Sequence, residues 1–131
     1  MSTPRVQAIV VDDNTFRQLV ALEIPKAVRL QYPVSLVTIE RTGPNVESLA
    51  APVRRVVRAA DLVGVVDSGA VVRVLLMNAD LKGAQSVIDR LLGELGDAIA
   101  VRVGVAGFPA TVETAEELIA QADAAAGLGS R

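Results

Sequence analysis

The sequence predicts an α+β fold: a mostly antiparallel sheet in βαββαβ order, with an additional helix at the N-terminal and at the C-terminal end. Three observations point there. Two valine-rich runs, Leu62 to Val66 and Ala70 to Met77, flank the turn residues Asp67-Ser68-Gly69, which is the pattern of a β-hairpin. Ala84, Val87, Ile88, Leu91, Leu92 and Leu95 recur at helical spacing and form a full apolar stripe. Ile99, Val101, Val103 and Val105 alternate with smaller residues and Arg102, the two-residue period of a strand.

Each element has its own signals. Asp12-Asp13-Asn14 are good helix caps, and a helix is predicted from there to about Leu30, with Phe16, Val20, Ala27 and Leu30 on one stripe and a kink or break at Pro25. Val34 to Ile39 is β-branched and apolar and reads as a strand. Arg41-Thr42-Gly43-Pro44-Asn45 is a turn cluster. Val46 to Arg58 reads as helix, with a start near Ala51 that would put Pro52 in the first turn. After the hairpin, Asn78 or Asp80 can cap the periodic helix and Gly96 can end it. Thr114-Ala115-Glu116-Glu117 is a capping box opening a last helix through about Ala126. The middle of this order is a ferredoxin-like βαββαβ core, expected to pack its helices on one face, with strands Val34–Ile39, Ala70–Met77 and Ile99–Val105 placed centrally.

Composition removes several functions. The 131 residues suit a single domain over 1–131, able to bury roughly two thirds of its unfolded surface. With no cysteine and no histidine, thiolate and imidazole metal sites, cysteine nucleophiles and Ser-His-Asp triads are excluded. Thirteen basic against fifteen acidic residues is not the balance of a nucleic-acid binder, and two Phe, one Tyr and no Trp are too few for base-stacking platforms. No apolar run is long enough for a membrane span and the first residues lack a signal-peptide core, so a cytoplasmic location is expected.

Several stretches in this order resemble the GGDEF family, the diguanylate cyclases, from about Asn14 to Ala126. Phe16-Arg17-Gln18-Leu19 through Pro33-Val34-Ser35-Leu36-Val37 resembles the family's first helix running into its first strand. Arg58-Ala59-Ala60-Asp61-Leu62-Val63 resembles the arginine-x-x-aspartate ahead of the signature hairpin. Val103-Gly104-Val105-Ala106 and Leu118-Ile119-Ala120-Gln121-Ala122-Asp123-Ala124-Ala125 resemble the closing strand and helix. The resemblance implies a nucleotidyl cyclase-like fold and a place in bacterial cyclic di-GMP signalling.

The resemblance also implies that catalysis is lost. Counted from Asp61, the signature falls on Asp67, Ser68, Gly69, Ala70 and Val71, so glycine and alanine stand where the family has its two acids. Only Glu40 stands where the family has a metal-binding aspartate, and one carboxylate does not hold two Mg²⁺ ions. The family's guanine-gripping segment corresponds to Arg41 to Ser48, which is shorter and unlike it, and its late lysine would fall near Ser130. The expectation is a degenerate domain with no catalytic residues, no metal and no cofactor.

What the resemblance retains is Arg58 and Asp61, at the spacing of the family's inhibitory site for cyclic di-GMP, with Arg90 roughly where the family has a second arginine arm. Arginine forks grip phosphate or the guanine Hoogsteen edge, and a carboxylate accepts from guanine N1–H and N2–H₂. Arg54 and Arg55 could add phosphate contacts. Set against this, and weighing more on the residues alone, Arg58 and Asp61 read as a solvated pair at a helix end, worth at most about 1 kcal/mol, and Arg54-Arg55 as a solvated helix face.

Two further classes stay open. One is a protein-interaction or homodimerisation module that kept the fold without nucleotide binding. The other, less favoured, is a response-regulator receiver, suggested by Asp12-Asp13-Asn14 after Ala8-Ile9-Val10-Val11, with Asp67 as acceptor; neither Lys26 nor Lys82 lies where a receiver needs its lysine. Arg73 and Arg102 alternate away from the apolar residues of their strands, facing a partner or keeping an uncovered sheet face soluble.

Overall fold

The computed structural model describes residues 7–44, 47–109 and 114–128. The chain runs β1 (Ile9–Asp12), α1 (Asp13–Leu30), β2 (Val34–Arg41), α2 (Ala50–Val56), β3 (Leu62–Val66), β4 (Val71–Met77), α3 (Leu81–Leu95), β5 (Val101–Phe108) and α4 (Ala115–Ala125). The sheet order is β1-β3-β4-β2-β5. β1 lies parallel to β3, and β3–β4, β4–β2 and β2–β5 are antiparallel. Without β1 this is the strand order of a ferredoxin-like core, as predicted.

The helices cover both faces, and the expectation of one covered face is corrected. The two helices inside the core motif, α2 and α3, lie over Val37, Ile39, Val63, Val72, Val74 and Leu76. The two outer helices bury Phe16, Val20, Ile24, Leu118, Ile119 and Ala122 against Leu36, Leu62, Leu75 and Ala106 on the opposite face. The alternation within β2 shows the cause: Leu36 points to one layer, Val37 and Ile39 to the other. A strand apolar on both sides needs a cover on both sides.

Other elements depart from expectation in detail. The short β1 extends the sheet beyond β3, where no strand was predicted; four residues are too few to show a period. β5 is an edge strand, not a central one, and its first half is correspondingly half-exposed, with Arg102 open to solvent. Helix α1 runs unbroken through Pro25. Its buried stripe is Phe16, Val20, Ile24 and Ala27, and Leu30, expected on that stripe, is instead 57% exposed in the last turn. α2 is shorter than expected, beginning at Ala50 with Pro52 in its first turn and ending before Arg58. Val46, where that helix was first expected to begin, lies outside the described residues.

The predicted caps are found where chemistry favours them. Asp12 Oδ1 accepts from Thr15 N–H at 2.7 Å. Asp80, not Asn78, caps α3 by accepting from Gly83 N–H at 2.8 Å, while Asn78 takes a left-handed φ of 53° in the preceding turn. Gly96 ends α3. Thr114 Oγ1 accepts from Glu117 N–H and caps α4, while its hydroxyl donates to Glu117 Oε1, so the Glu117 carboxylate meets the Thr114 side chain in place of the backbone N–H expected of a capping box.

Glycine is required where α4 crosses the sheet. A Cβ on Gly104 of β5 would lie 2.7 Å from the Ala125 carbonyl carbon and closer still to Ala122 O and Ala126 N. The helix backbone therefore rests directly on the strand backbone.

A receiver needs a parallel sheet, and only β1–β3 is parallel here, so that reading is set aside. No helix among the described residues is long and apolar enough to cross a membrane.

Candidate functional site

The loop between α2 and β3 places the first candidate pair. Asp61 N–H donates to Arg58 O at 3.0 Å, closing a turn. The Asp61 carboxylate faces inward, 2% exposed, and accepts from Arg58 N–H at 2.9 Å and from Met77 N–H of β4 at 3.0 Å. It is therefore a structural anchor between the loop and β4, not an open acceptor for a ligand. Arg58 Nη2 stands 3.5 Å from Asp61 Oδ1 and also donates to the Met77 carbonyl, while more than half of the arginine side chain stays in solvent. The solvated-pair reading fits neither residue fully: one partner is buried, and the other is held against the backbone.

Arg90 comes from the outward side of α3 and is exposed. With Arg58 it borders two adjoining cavities. One, of about 450 Å³, is completed by Asn78, Asp80 and Val87 at the start of α3. The other, of about 300 Å³, is completed by Arg54 and Arg55 of α2. Arg58, Arg90, Arg54 and Arg55 are thus brought together, and Asp61 stands behind them. Arg55 is partly engaged, since its Nε donates to Glu94 of α3.

The hairpin tip forms at the predicted positions. Asp67, Ser68 and Gly69 all have left-handed φ values, of 51°, 57° and 93°, Ala70 closes the turn with its N–H on Asp67 O, and Val71 opens β4. The tip is covered by the chain itself. Leu49 N–H donates to Gly69 O at 2.9 Å, and a Cβ on Gly69 would reach within 2.8 Å of Ser48 Cα and overlap its side chain. Position 69 takes glycine both for its φ and for this contact. Nothing in the sequence pattern signalled Ser48 in this role.

Glu40 is buried at the end of β2, with Arg102 of β5 across from it at 3.9 Å. Among the described residues no three His, Cys, Asp or Glu side chains gather as a cation site. The acids present around the tip do not fit a pair of Mg²⁺ ions, which need several converging carboxylates. Ser130 lies outside the described residues.

A second polar cluster sits on the opposite sheet face. Arg73 is 6% exposed, which corrects its assignment to an uncovered surface, because α1 and α4 cover it. Its Nε and Nη2 reach Asp123 Oδ1 and Oδ2, and its Nη1 donates to Asp13. Thr38 Oγ1 donates to Asp123 at 2.7 Å. Burial works against the guanidinium charge, but the hydrogen bonds and charge of Asp123, with those of Asp13, outweigh it and hold Arg73 above its usual range. A lone arginine inside a valine-rich strand was the available signal for this cluster.

No protein-family model matches the chain. No curated protein matches it either. Solved structures do. The GGDEF domain of YfiN (TpbB) from Pseudomonas aeruginosa superposes with a TM-score of 0.81 at 17% identity, over 92% of this chain and 89% of that one. A DGC protein from Thermotoga maritima gives a TM-score of 0.78 at 15% identity, over 90% and 96%. A microbial GGDEF domain, described for a novel interaction mode with cyclic di-GMP, gives 0.69 at 18% identity, over 94% and 88%. With the strand order and two-sided helix cover described above, these likenesses show that the chain has the fold of a GGDEF domain, in a divergent form.

Proposed function

We propose that this chain is a catalytically inactive GGDEF-like domain that acts by binding, as a cyclic di-GMP receptor or adaptor in the cytoplasm. The observation that carries the reading is the convergence of Arg58 and Arg90, from a loop and a helix distant in sequence, on the walls of two shared cavities. Two guanidinium forks suit a doubly phosphorylated cyclic dinucleotide. Asp61 serves this site as a positioning residue, holding the Arg58 backbone in place through its own buried carboxylate. One of the similar structures is described with cyclic di-GMP, which supports the ligand class.

Inactivity is supported by the hairpin tip. Gly69 and Ala70 replace the acids of the signature, and Ser48 and Leu49 lie over the tip. Incubation with GTP and Mg²⁺ or Mn²⁺ is expected to yield no product; turnover would overturn this part of the reading.

Titration calorimetry with cyclic di-GMP tests the binding claim. Wild type is expected to bind at micromolar affinity or better, and Arg58→Ala to lose about 1–3 kcal/mol, the usual range for a charge-assisted hydrogen bond. Absence of heat at high micromolar ligand would favour the second reading, a protein-interaction module. That reading draws on Leu22, Val28 and Leu30 of α1, which are 69%, 60% and 57% exposed.

A further inference from the structure

The cleft bordered by Arg58 and Arg90 is chemically divided. Its larger part holds one acid, Asp80, and one amide, Asn78, both exposed, beside the two arginines. Its smaller part is lined by four arginines, of which Arg55 is paired with Glu94 of α3, by the amide of Gln7, and by no acid. A phosphate is repelled by a carboxylate, so the smaller part suits the phosphates. The larger part suits a group that offers donors and acceptors together.

A guanine base is such a group. It presents N1–H and N2–H₂ donors on one edge and O6 and N7 acceptors on another. The carboxylate at the family-like position is unavailable for the donors, because Asp61 is 2% exposed and occupied by two backbone N–H groups. Asp80 is the acid that borders the cavity instead. Its Oδ1 caps α3 through Gly83 N–H, which fixes the side-chain rotamer, and it forms no ion pair with Arg58 or Arg90 among the described residues. A carboxylate held in this way has a second oxygen left to accept.

We infer that Asp80 is the base-selecting residue of the cleft, accepting from the guanine N1–H and N2–H₂ edge while Arg58 and Arg90 engage phosphate or O6 and N7. The inference rests on the cyclic di-GMP reading above. It explains how the cleft tells guanine from adenine: adenine places an unprotonated N1 where guanine has N1–H, so the Asp80 carboxylate meets a lone pair.

The test is calorimetric titration of cyclic di-GMP and cyclic di-AMP into wild type, Asp80→Ser and Arg58→Ala. Serine caps a helix about as well as aspartate but does not reach into the cavity, so the thermal midpoint of Asp80→Ser is expected to match wild type. Wild type is expected to prefer cyclic di-GMP by about tenfold or more, the worth of a charged hydrogen bond. Asp80→Ser is expected to bring the two ligands to within about twofold of each other by weakening only the guanine ligand. Arg58→Ala is expected to weaken both. An Asp80→Ser protein that keeps the wild-type preference overturns the role of Asp80 and leaves the receptor reading standing. A wild type that binds neither ligand overturns the receptor reading, and the role of Asp80 falls with it.

Discussion

Arg73 and Asp123 meet fork to fork across the sheet: Nε lies 3.0 Å from one carboxylate oxygen and Nη2 2.8 Å from the other, beneath the cover of α1 and α4. This pair fixes α4 to β4 and, through Asp13, brings in the first turn of α1. Removing one partner leaves a buried charge with half its compensation. Asp123→Ala is expected to cost about 3–5 kcal/mol, read from the urea midpoint, whereas the double change Arg73→Met with Asp123→Leu is expected to recover much of that loss. Equal destabilisation by the single and double variants would mean that shape, not charge pairing, holds this corner.

Gly104 is where β5 admits the α4 backbone. Gly104→Ala places a methyl group against main-chain atoms that cannot swing aside. The expected cost is about 1–3 kcal/mol or more, with faster amide exchange concentrated in α4. A variant as stable as wild type would show that the helix can lift without penalty.

Restoring an acid to the hairpin tip is not expected to restore a metal site. Gly69→Asp would force a side chain onto Ser48 and an L residue into a φ of 93°. The expected result is lower stability by about 1–3 kcal/mol, with no gain of thermal midpoint on adding Mg²⁺. A Mg²⁺-dependent rise would show that the covering segment moves.

Asp61 joins two elements through backbone donors, so its loss is expected to act on fold and site together. Asp61→Ala leaves Arg58 N–H and Met77 N–H without their acceptor. About 1–3 kcal/mol of stability is expected to go, and cyclic di-GMP affinity to fall because Arg58 is no longer held. Unchanged stability by denaturant titration would argue that water replaces the carboxylate there.

Acid should weaken the α1 cap in a definite direction. Asp12 is held below its ordinary pKa chiefly by the hydrogen bond from the Thr15 backbone, with the Thr15 side chain assisting. A carboxylate lowered on folding stabilises above its unfolded pKa, and that stabilisation is lost as pH falls through the folded value. The stability difference between wild type and Asp12→Asn, which keeps a capping oxygen, should therefore be present at neutral pH and vanish at low pH. A difference independent of pH would show that the charge is irrelevant to the cap.

Local structure was legible in the residues. Periodicity in 84–95, the β-rich runs around Asp67-Ser68-Gly69, and the caps at Asp12, Asp80 and Thr114 all act within a few residues, and the chain forms them where expected. Arg58 and Arg90, singled out by the resemblance, both border one cleft, and a ligand in that cleft is the reading proposed above. What sequence could not carry was decided by packing between distant segments. The two-sided cover of the sheet makes Arg73 an interior residue, although its strand pattern reads as a surface position. The approach of residues 48 and 49 to Gly69 closes the hairpin tip. The inward turn of Asp61 leaves Asp80 as the acid facing the cleft. The reason is common to all three: the free energy of a polar group depends on what buries or solvates it, and its neighbours in space are not its neighbours in the chain.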